Sequence, residues 1–517
     1  MPEACDELVS PGYAGDVRLS QDVLTEVLRL LPQHERLQHA PLVCKLLCAA
    51  AYKATADASI NLAAAAAPDG SFASFSAWLG RGGAACIQTL LIRRNTKAVY
   101  VLPNVPQPSV QLPWADLAAL RSLHLHGVEL QPLVLQAQLG GLTSLTLTRV
   151  ANTSCLLQHL PTAMRQLAVR SDGRHRSTIN SSSGSSWQQQ AAWKAVGQLR
   201  HLTSLLLDRC CVTDASLRLF TALQQLQRLQ LWHNRLTNPW QALARLTSLS
   251  HLDLLSSDPL RIGSSSLGSS SSGWLGLRKL QELRCGSHVL LEDPGSPACL
   301  ALPPNLLKLE GCGWQFASPA AAQVLLECTL PVLPLQQLKL LCCEFPAGLQ
   351  PGAFAALGRL AGLTSLNLSG CMMPHGACSS EGLFKAGAMP RLQELLLHAL
   401  SYSPVDGSHP AVSPAHAAPA EGCLAGLSAA CPALQRLDIR GILAVELGGL
   451  TALTRLQHLS KVEVDMQWYG VLDEAVAAAL EQLRNKAAAA GPTAAPASRI
   501  AAAAAGLDTA VGGSRPA

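Results

Sequence analysis

The sequence predicts an α/β fold: a solenoid, or horseshoe, of about 14 strand-and-connector repeats behind a small three-helix domain. Three observations predict it. Leucines recur as L-x-x-L-x-L at intervals of 22 to 42 residues between Ile87 and Leu459. Residues 19–51, in contrast, crowd their leucines at helical spacing. Apolar residues make up 49% of the chain but aromatics only 4%, so the core has to be built from Leu, Ala and Val.

A chain of 517 residues exceeds one ordinary compact core, which a repeat array accommodates. Charged residues are 14% and the net charge is +5. As a chain-wide figure this is too mild for phosphate neutralisation, so no nucleic-acid partner is expected. The opening "MPEACDELVSPGYAGDVR" has no apolar core of the signal-peptide kind, and no apolar run reaches the roughly 18–20 residues that cross a bilayer. The reading is therefore no membrane, with a cytoplasmic and/or nuclear location. Seventeen cysteines with no C-x-x-C pair read as reduced thiols used as small hydrophobes, with no metal site and no cofactor.

The repeats come next. "LQQLQRLQLWHN" carries Leu226, Leu229, Leu231 and Asn234 as L-x-x-L-x-L-x-x-N. "LQQLKLLCC" repeats it at Leu335, Leu338, Leu340 and Cys343, and "LTSLNLSGC" at Leu363, Leu366, Leu368 and Cys371. This pattern resembles the leucine-rich-repeat family, whose fold is a strand-plus-connector solenoid. First motif positions fall at Ile87, Leu120, Leu142, Met164, Leu202, Leu226, Leu249, Leu280, Pro304, Leu335, Leu363, Leu392, Leu434 and Leu459. The longer gaps hold Ser-, Gly- and Pro-rich inserts near 171–190, 257–274 and 400–424. The array is thus set at 85–470.

Counting the first leucine as position zero, positions 0, 3 and 5 point inward and stack on the next repeat. Position 8 serves the backbone of the following turn; Asn95, Cys210, Asn234, Cys312, Cys343 and Cys371 are assigned there. Positions 2, 4 and 6 form an inner face about 60 Å long at the usual strand spacing. The expected partner-binding residues on it are Arg93, His124, His126, Arg170, Arg228, Gln230, Trp232, His251, Asp253, Arg284 and Lys308. Trp232 is the expected hot spot, because a large aromatic on an exposed strand face suits a buried contact.

In the opening segment Val23, Leu24, Val27, Leu28 and Leu31 line one helix face. Ser20 suits the N-cap, Asp22 sits in the first turn, and Pro32 ends the helix. A short second helix holds Leu37, and Pro41 opens a third with Leu42, Val43, Leu46 and Leu47. Three such helices barely bury a core alone, so they need a partner helix or a junction with the repeats. Leu19, Asp22, Val23, Leu24, Val27, Leu28, Leu31, Pro32 and the run Leu42, Val43, Cys44 and Lys45 make residues 17–52 resemble an F-box. Ser20 stands where that family has Pro, and Leu47 where it has Trp.

The resemblance to F-box proteins with leucine-rich repeats implies a substrate-recognition subunit of a cullin–RING (SCF-type) ubiquitin ligase. Leu19, Val23, Leu24, Val27, Leu28, Leu31, Pro32, Leu42, Val43, Cys44 and Lys45 would dock a Skp-type adaptor. The repeat face would hold a protein substrate for ubiquitin-dependent degradation. The chain would be a monomer outside that complex. No catalytic motif occurs, so no enzyme is expected. The other reading is a scaffolding repeat protein of the cytoskeleton or axoneme, with the first helices serving as a cap over the array. Elsewhere the sequence assigns 1–16 as a flexible start, 53–84 as an Ala-rich connector, 471–486 as a capping helix and 487–517 as a disordered tail.

Overall fold

Alternation along single strands sets the architecture. In "SLHLH" and "SLTLT" the leucines are buried and the residues between them half-buried, as period-two geometry requires of a sheet with one face on the core. The structure is a computed structural model. It describes residues 57–62, 87–94, 114–128, 135, 138–150, 153–171, 185–255, 261–262, 276–286, 289–291, 302–374, 377–378, 382–385, 389–398, 400–402, 426–440, 453–463, 478, 481–482 and 485. The F-box-like segment 17–52 lies outside the described residues, as do most of the inserts and the tail.

The chain divides into two compact units, residues 1–210 with 215–228, and residues 211–214 with 229–517. Unit one contains β1 (Asp57–Leu62), β2 (Thr89–Arg94), β3 (Ser122–His126), β4 (Ser144–Thr148), β5 (Gln166–Arg170) and β6 (Ser204–Asp208). They pair in chain order, each parallel to the next. That is solenoid order, in which every strand is followed by a connector that returns to start the next. The sheet begins one strand earlier than the sequence predicts. β1 falls inside the expected connector, with Ile60 in register with Ile92; the alanines around it hide the leucine beat.

Unit two opens with β7 (Arg228–Trp232), whose first residue closes unit one. There follow β8 (His251–Leu254), β9 (Arg261–Ile262), β10 (Glu282–Cys285), β11 (Leu290–Leu291), β12 (Lys308–Cys312), β13 (Gln315–Phe316) and β14 (Gln337–Leu341). Then come β15 (Ser365–Asn367), β16 (Met372–Met373), β17 (Glu394–Leu396), β18 (Ser401–Tyr402), β19 (Arg436–Asp438) and β20 (Lys461–Glu463). The main ladder runs β8-β10-β12-β14-β15-β17-β19-β20, all parallel. The two-residue strands form small parallel sheets of their own, β9-β11-β13 and β16-β18. Short helices such as Trp240–Leu243, Pro319–Gln323 and Gly352–Ala355 lie in the connectors, the second capped by the Ser318 hydroxyl accepting the Ala321 N–H at 3.2 Å.

The inward leucines are almost fully excluded from solvent, as at Leu123, Leu145, Leu167, Leu205, Leu229, Leu252, Leu338 and Leu366. Among the described residues several aromatics join this core. Trp193 meets Phe220 edge-on at 6.0 Å in unit one, and Phe345 bridges Phe316 and Phe354 in unit two.

Position 8 acts as expected at four sites. Asn234, fully buried, accepts the Val212 N–H at 3.0 Å and donates to the Trp232 carbonyl at 3.0 Å. The thiols of Cys210, Cys343 and Cys371 point at backbone carbonyls, Cys371 to Leu340 at 2.9 Å. Asn95 lies outside the described residues. Cys312 is a correction. Leu309 pairs in register with Leu338, so this repeat starts at Leu306 and not at Pro304. Cys312 then occupies position 6, and position 8 is Trp314. The second inward position is Gly311, whose missing side chain made the motif unreadable. The Trp314 ring fills that space: a Cβ on Gly311 would meet its Cε2 at 2.6 Å. The indole N–H donates to the Cys285 carbonyl at 3.3 Å, replacing the usual amide.

Position 7 turns the chain away from the strand through positive φ. Glycine occupies it at Gly127, Gly313 and Gly370, but Arg149, Arg209, His233 and Cys342 adopt the same conformation with φ between 52° and 55°. Each costs about 1 kcal/mol relative to glycine.

Candidate binding face

The side of each ladder away from the core is an open face on which positions 2, 4 and 6 align in columns. Register makes the columns explicit in unit two. At position 4, Asp253 neighbours Arg284, Arg284 neighbours Glu310, and Glu310 neighbours Lys339. At position 2 the order is His251, Glu282, Lys308. Sign alternates along and across both columns. Lys308 Nζ reaches Glu282 at 2.7 Å and His251 reaches the other oxygen at 3.6 Å. Arg284 lies between Glu310 at 3.6 Å and Asp253 at 4.0 Å, with Lys339 3.9 Å from Glu310. Glu282, Arg284, Lys308, Glu310, Gln337 and Lys339 line a shallow polar depression.

A second cluster closes the ladder. Ser365 donates to Glu394 at 2.9 Å, and Glu394 and Glu463 hold Arg436 at 2.8 and 3.5 Å. Arg440 grips Asp438 at 2.6 Å and Glu463 at 3.0 Å. In these pairs the cations are exposed and the carboxylates largely covered, and their main effect is to cancel one another's field.

The acidic groups respond to their neighbours. Burial pushes Glu282 up, but the Lys308 ammonium and the charges of His251 and Arg284 outweigh it, leaving its carboxyl below the ordinary value. Asp438 is likewise pushed up by burial and pulled lower by Arg440. Asp253 goes the other way. Only 4% exposed, it is raised by burial despite the Leu255 N–H, the Trp232 side chain and Arg284.

Unit one builds its face from other chemistry. Its position-4 column is Leu91, His124, Thr146, Ala168 and Leu206, and its position-2 column includes Ser122, Ser144, Gln166 and Ser204. His124 shares a 3.1 Å hydrogen bond with Ser122, and burial lowers its pKa, so its imidazole is neutral at physiological pH.

The expected face residues distribute as follows. Arg93, His124, His126 and Arg170 stand on the open side of unit one, and Arg228 begins β7. Gln230, Trp232, His251, Arg284 and Lys308 stand on the open side of unit two. Asp253 is on the same side but sunk beneath Trp232 and Arg284 and closed to solvent. Lys339 and Gln337 were missed, although the same offsets from Leu335 point to them. The adaptor set from Leu19 to Lys45 lies outside the described residues. Among the described residues no three His, Cys, Asp or Glu side chains gather as metal ligands, and no helix is long and apolar enough to cross a membrane. The eleven described cysteines are free thiols; burial raises Cys431 to about 12.

No family model matches the chain, and no curated protein does. Solved structures similar to it include an internalin from Listeria monocytogenes, at 15% identity and a TM-score of 0.36, covering 64% of this chain and 85% of that one. A leucine-rich-repeat protein of Leptospira interrogans is 16% identical with a TM-score of 0.36, over 72% and 90% of the two chains. The mouse RP105/MD-1 complex is 15% identical with a TM-score of 0.40, over 69% and 55%. The parallel ladder, its inward leucines and its position-8 hydrogen bonds make the fold a leucine-rich-repeat solenoid.

Proposed function

We propose that this chain is the substrate receptor of a cullin–RING ubiquitin ligase. Residues 17–52 dock a Skp-type adaptor, and the open face of the repeats holds a protein substrate. The observation that carries the reading is the juxtaposition in one chain of the F-box-like run ending in Leu42, Val43, Cys44 and Lys45 with a ladder that presents polar side chains in columns. Such a receptor works by proximity, raising the effective concentration of a substrate lysine at the charged conjugating enzyme. It supplies no catalytic group of its own. The test is capture of a purified Skp-type adaptor by the full chain, with Leu24→Asp and Leu28→Asp as variants. Capture by the intact chain and loss in both variants, with unchanged circular dichroism, supports the reading. No capture by the intact chain ends it.

One observation favours the scaffold reading. β1 starts at Asp57, five positions after the F-box-like segment ends at residue 52. In the scaffold reading the helices expected over 17–52 would serve as the cap that the first edge of an array needs. In that case the apolar face of Leu24 and Leu28 covers β1, and both Asp variants lower the melting temperature of the array instead of releasing an adaptor.

A further inference from the structure

Charge is distributed far from evenly along this chain. Residues 87–228 contain fourteen basic residues against five acidic ones, a net +9, although the whole chain carries only +5. With every acidic residue of the segment paired inside it, nine cations would still have no counter-charge there. The chain-wide average, mild enough to suggest no charged partner, conceals this.

The structure places six of the fourteen basic residues at the two ends of unit one's strands. Arg93 and Arg170 share the position-6 column of β2 to β5. Arg149 and Arg209 follow one residue later, with Arg149 N–H bound to the Arg170 carbonyl at 2.7 Å. Arg165 and Arg228 stand at the opposite ends, and all six are exposed. Asp208, opposite Arg170 in register, is the acidic residue in that column. Between the two ends lies a floor of Ser122, Ser144, Gln166 and Ser204 at position 2 and Leu91, His124, Thr146, Ala168 and Leu206 at position 4.

A second observation is independent of the count. Arg149 and Arg209 occupy the positive-φ turn position where glycine serves at Gly127, Gly313 and Gly370. Glycine takes that conformation without strain, so each arginine stands there at a backbone cost, as His233 and Cys342 do in unit two.

From these we propose that the open face of unit one binds an acidic, carboxylate-rich polypeptide segment of the protein held by the array. The inference rests on reading the repeats as a protein-binding surface, and not on the ligase assignment. Twelve of the fourteen cations are arginine, whose planar fork matches carboxylate geometry in pairs. The floor's hydroxyls add hydrogen bonds. Among the described residues the open strand positions of unit one carry no Phe, Tyr or Trp, so the floor lacks the large stacking platform that single-stranded nucleic acid favours.

The test uses the full chain and a fluorescent peptide of mixed Glu and Asp, with a phosphoserine peptide, a single-stranded and a duplex oligonucleotide, and a neutral peptide as comparators. The glutamate–aspartate peptide should bind, more tightly than either oligonucleotide, and weaken steeply with salt. Arg149→Gly with Arg209→Gly should reduce its affinity by about five- to tenfold at low salt. Because glycine suits both positions, the melting temperature should hold or rise, which separates lost binding from lost fold. Arg359→Gln with Arg391→Gln removes the same charge from exposed sites of unit two and should leave binding unchanged. Tighter oligonucleotide binding would reassign the face to nucleic acid, and tighter phosphopeptide binding would assign it to phosphate. No binding, or equal loss in both double variants, would overturn the proposal. Adaptor capture measured alongside keeps the two readings apart, since either can fail while the other stands.

Discussion

On the open face of unit two, Arg284 stands between Asp253 and Glu310, and Lys308 reaches Glu282 at 2.7 Å. The equivalent columns of unit one run through His124, Thr146, Ala168 and Leu206, and through Ser122, Ser144, Gln166 and Ser204. Both stand on the same inward leucines. Residues 229–517 carry nineteen basic and twenty acidic residues, so most of unit two can balance itself, whereas 87–228 cannot. The scaffold is therefore indifferent to what its outward positions carry. Unit two fixes many of its charges against each other in register, and residues 87–228 carry a net cationic excess. Electrostatic identity in this protein belongs to the column, not to the single residue.

Mutations can break the comparison by damaging one unit alone. The largest effect is expected at Trp314, which fills the space over Gly311 and Cys285. Trp314→Ala should cost about 4 kcal/mol, read as a lower urea midpoint. Hydrogen exchange should accelerate in β10 to β14 and stay unchanged in β3 to β5, since repeats couple mainly to their neighbours. Asn234→Ala removes two hydrogen bonds and leaves the Val212 N–H without its acceptor. It should cost about 3 kcal/mol, measured the same way.

Smaller changes sharpen the contrast. Cys342→Gly relieves a φ of 52° and should stabilise by roughly 1 kcal/mol. The reverse change, Gly370→Ala, should destabilise, because its Cβ would meet the Cys342 sulfur at 2.9 Å.

The smallest effects are pH-dependent and opposite in sign. Asp438 is depressed when folded, so its contribution is present above 3.8, the ordinary value, and is lost as pH falls through the lower folded value. Asp438→Asn should therefore destabilise at neutral pH by about 0.5–1 kcal/mol. Asp253 is raised when folded, so its contribution is present below 3.8 and fades as pH climbs through the folded value. Asp253→Asn should then be neutral or slightly stabilising at pH 7. Thermal melts of both variants across pH 3–7 check the two signs.

Much of this was legible in the sequence. Two inward leucines three and five residues after a third fix a strand's register by themselves, which is why β3, β4, β6, β7 and β14 fall where expected. Asn234 could be read because it stands at position 8 of an intact motif, where its amide both accepts and donates. Gly311 and Trp314 could not, since a ring borrowed from outside the motif replaces the missing leucine. β1 was hidden by alanine, which marks strand and helix equally poorly in such a run. Asp253 and Arg284 were both recognised as face residues, but their pairing depends on aligning repeats 31 residues apart across an insert. The basic segment needed only a windowed count of charge; the chain-wide sum erased it.

The most direct test of the difference between the two faces is photo-crosslinking of an acidic peptide to the full chain, with the sites mapped by mass spectrometry. Cross-links confined to residues 87–228 and abolished at about 0.5 M salt are the predicted result. Cross-links concentrated in 251–463, or spread evenly over both units, would contradict it.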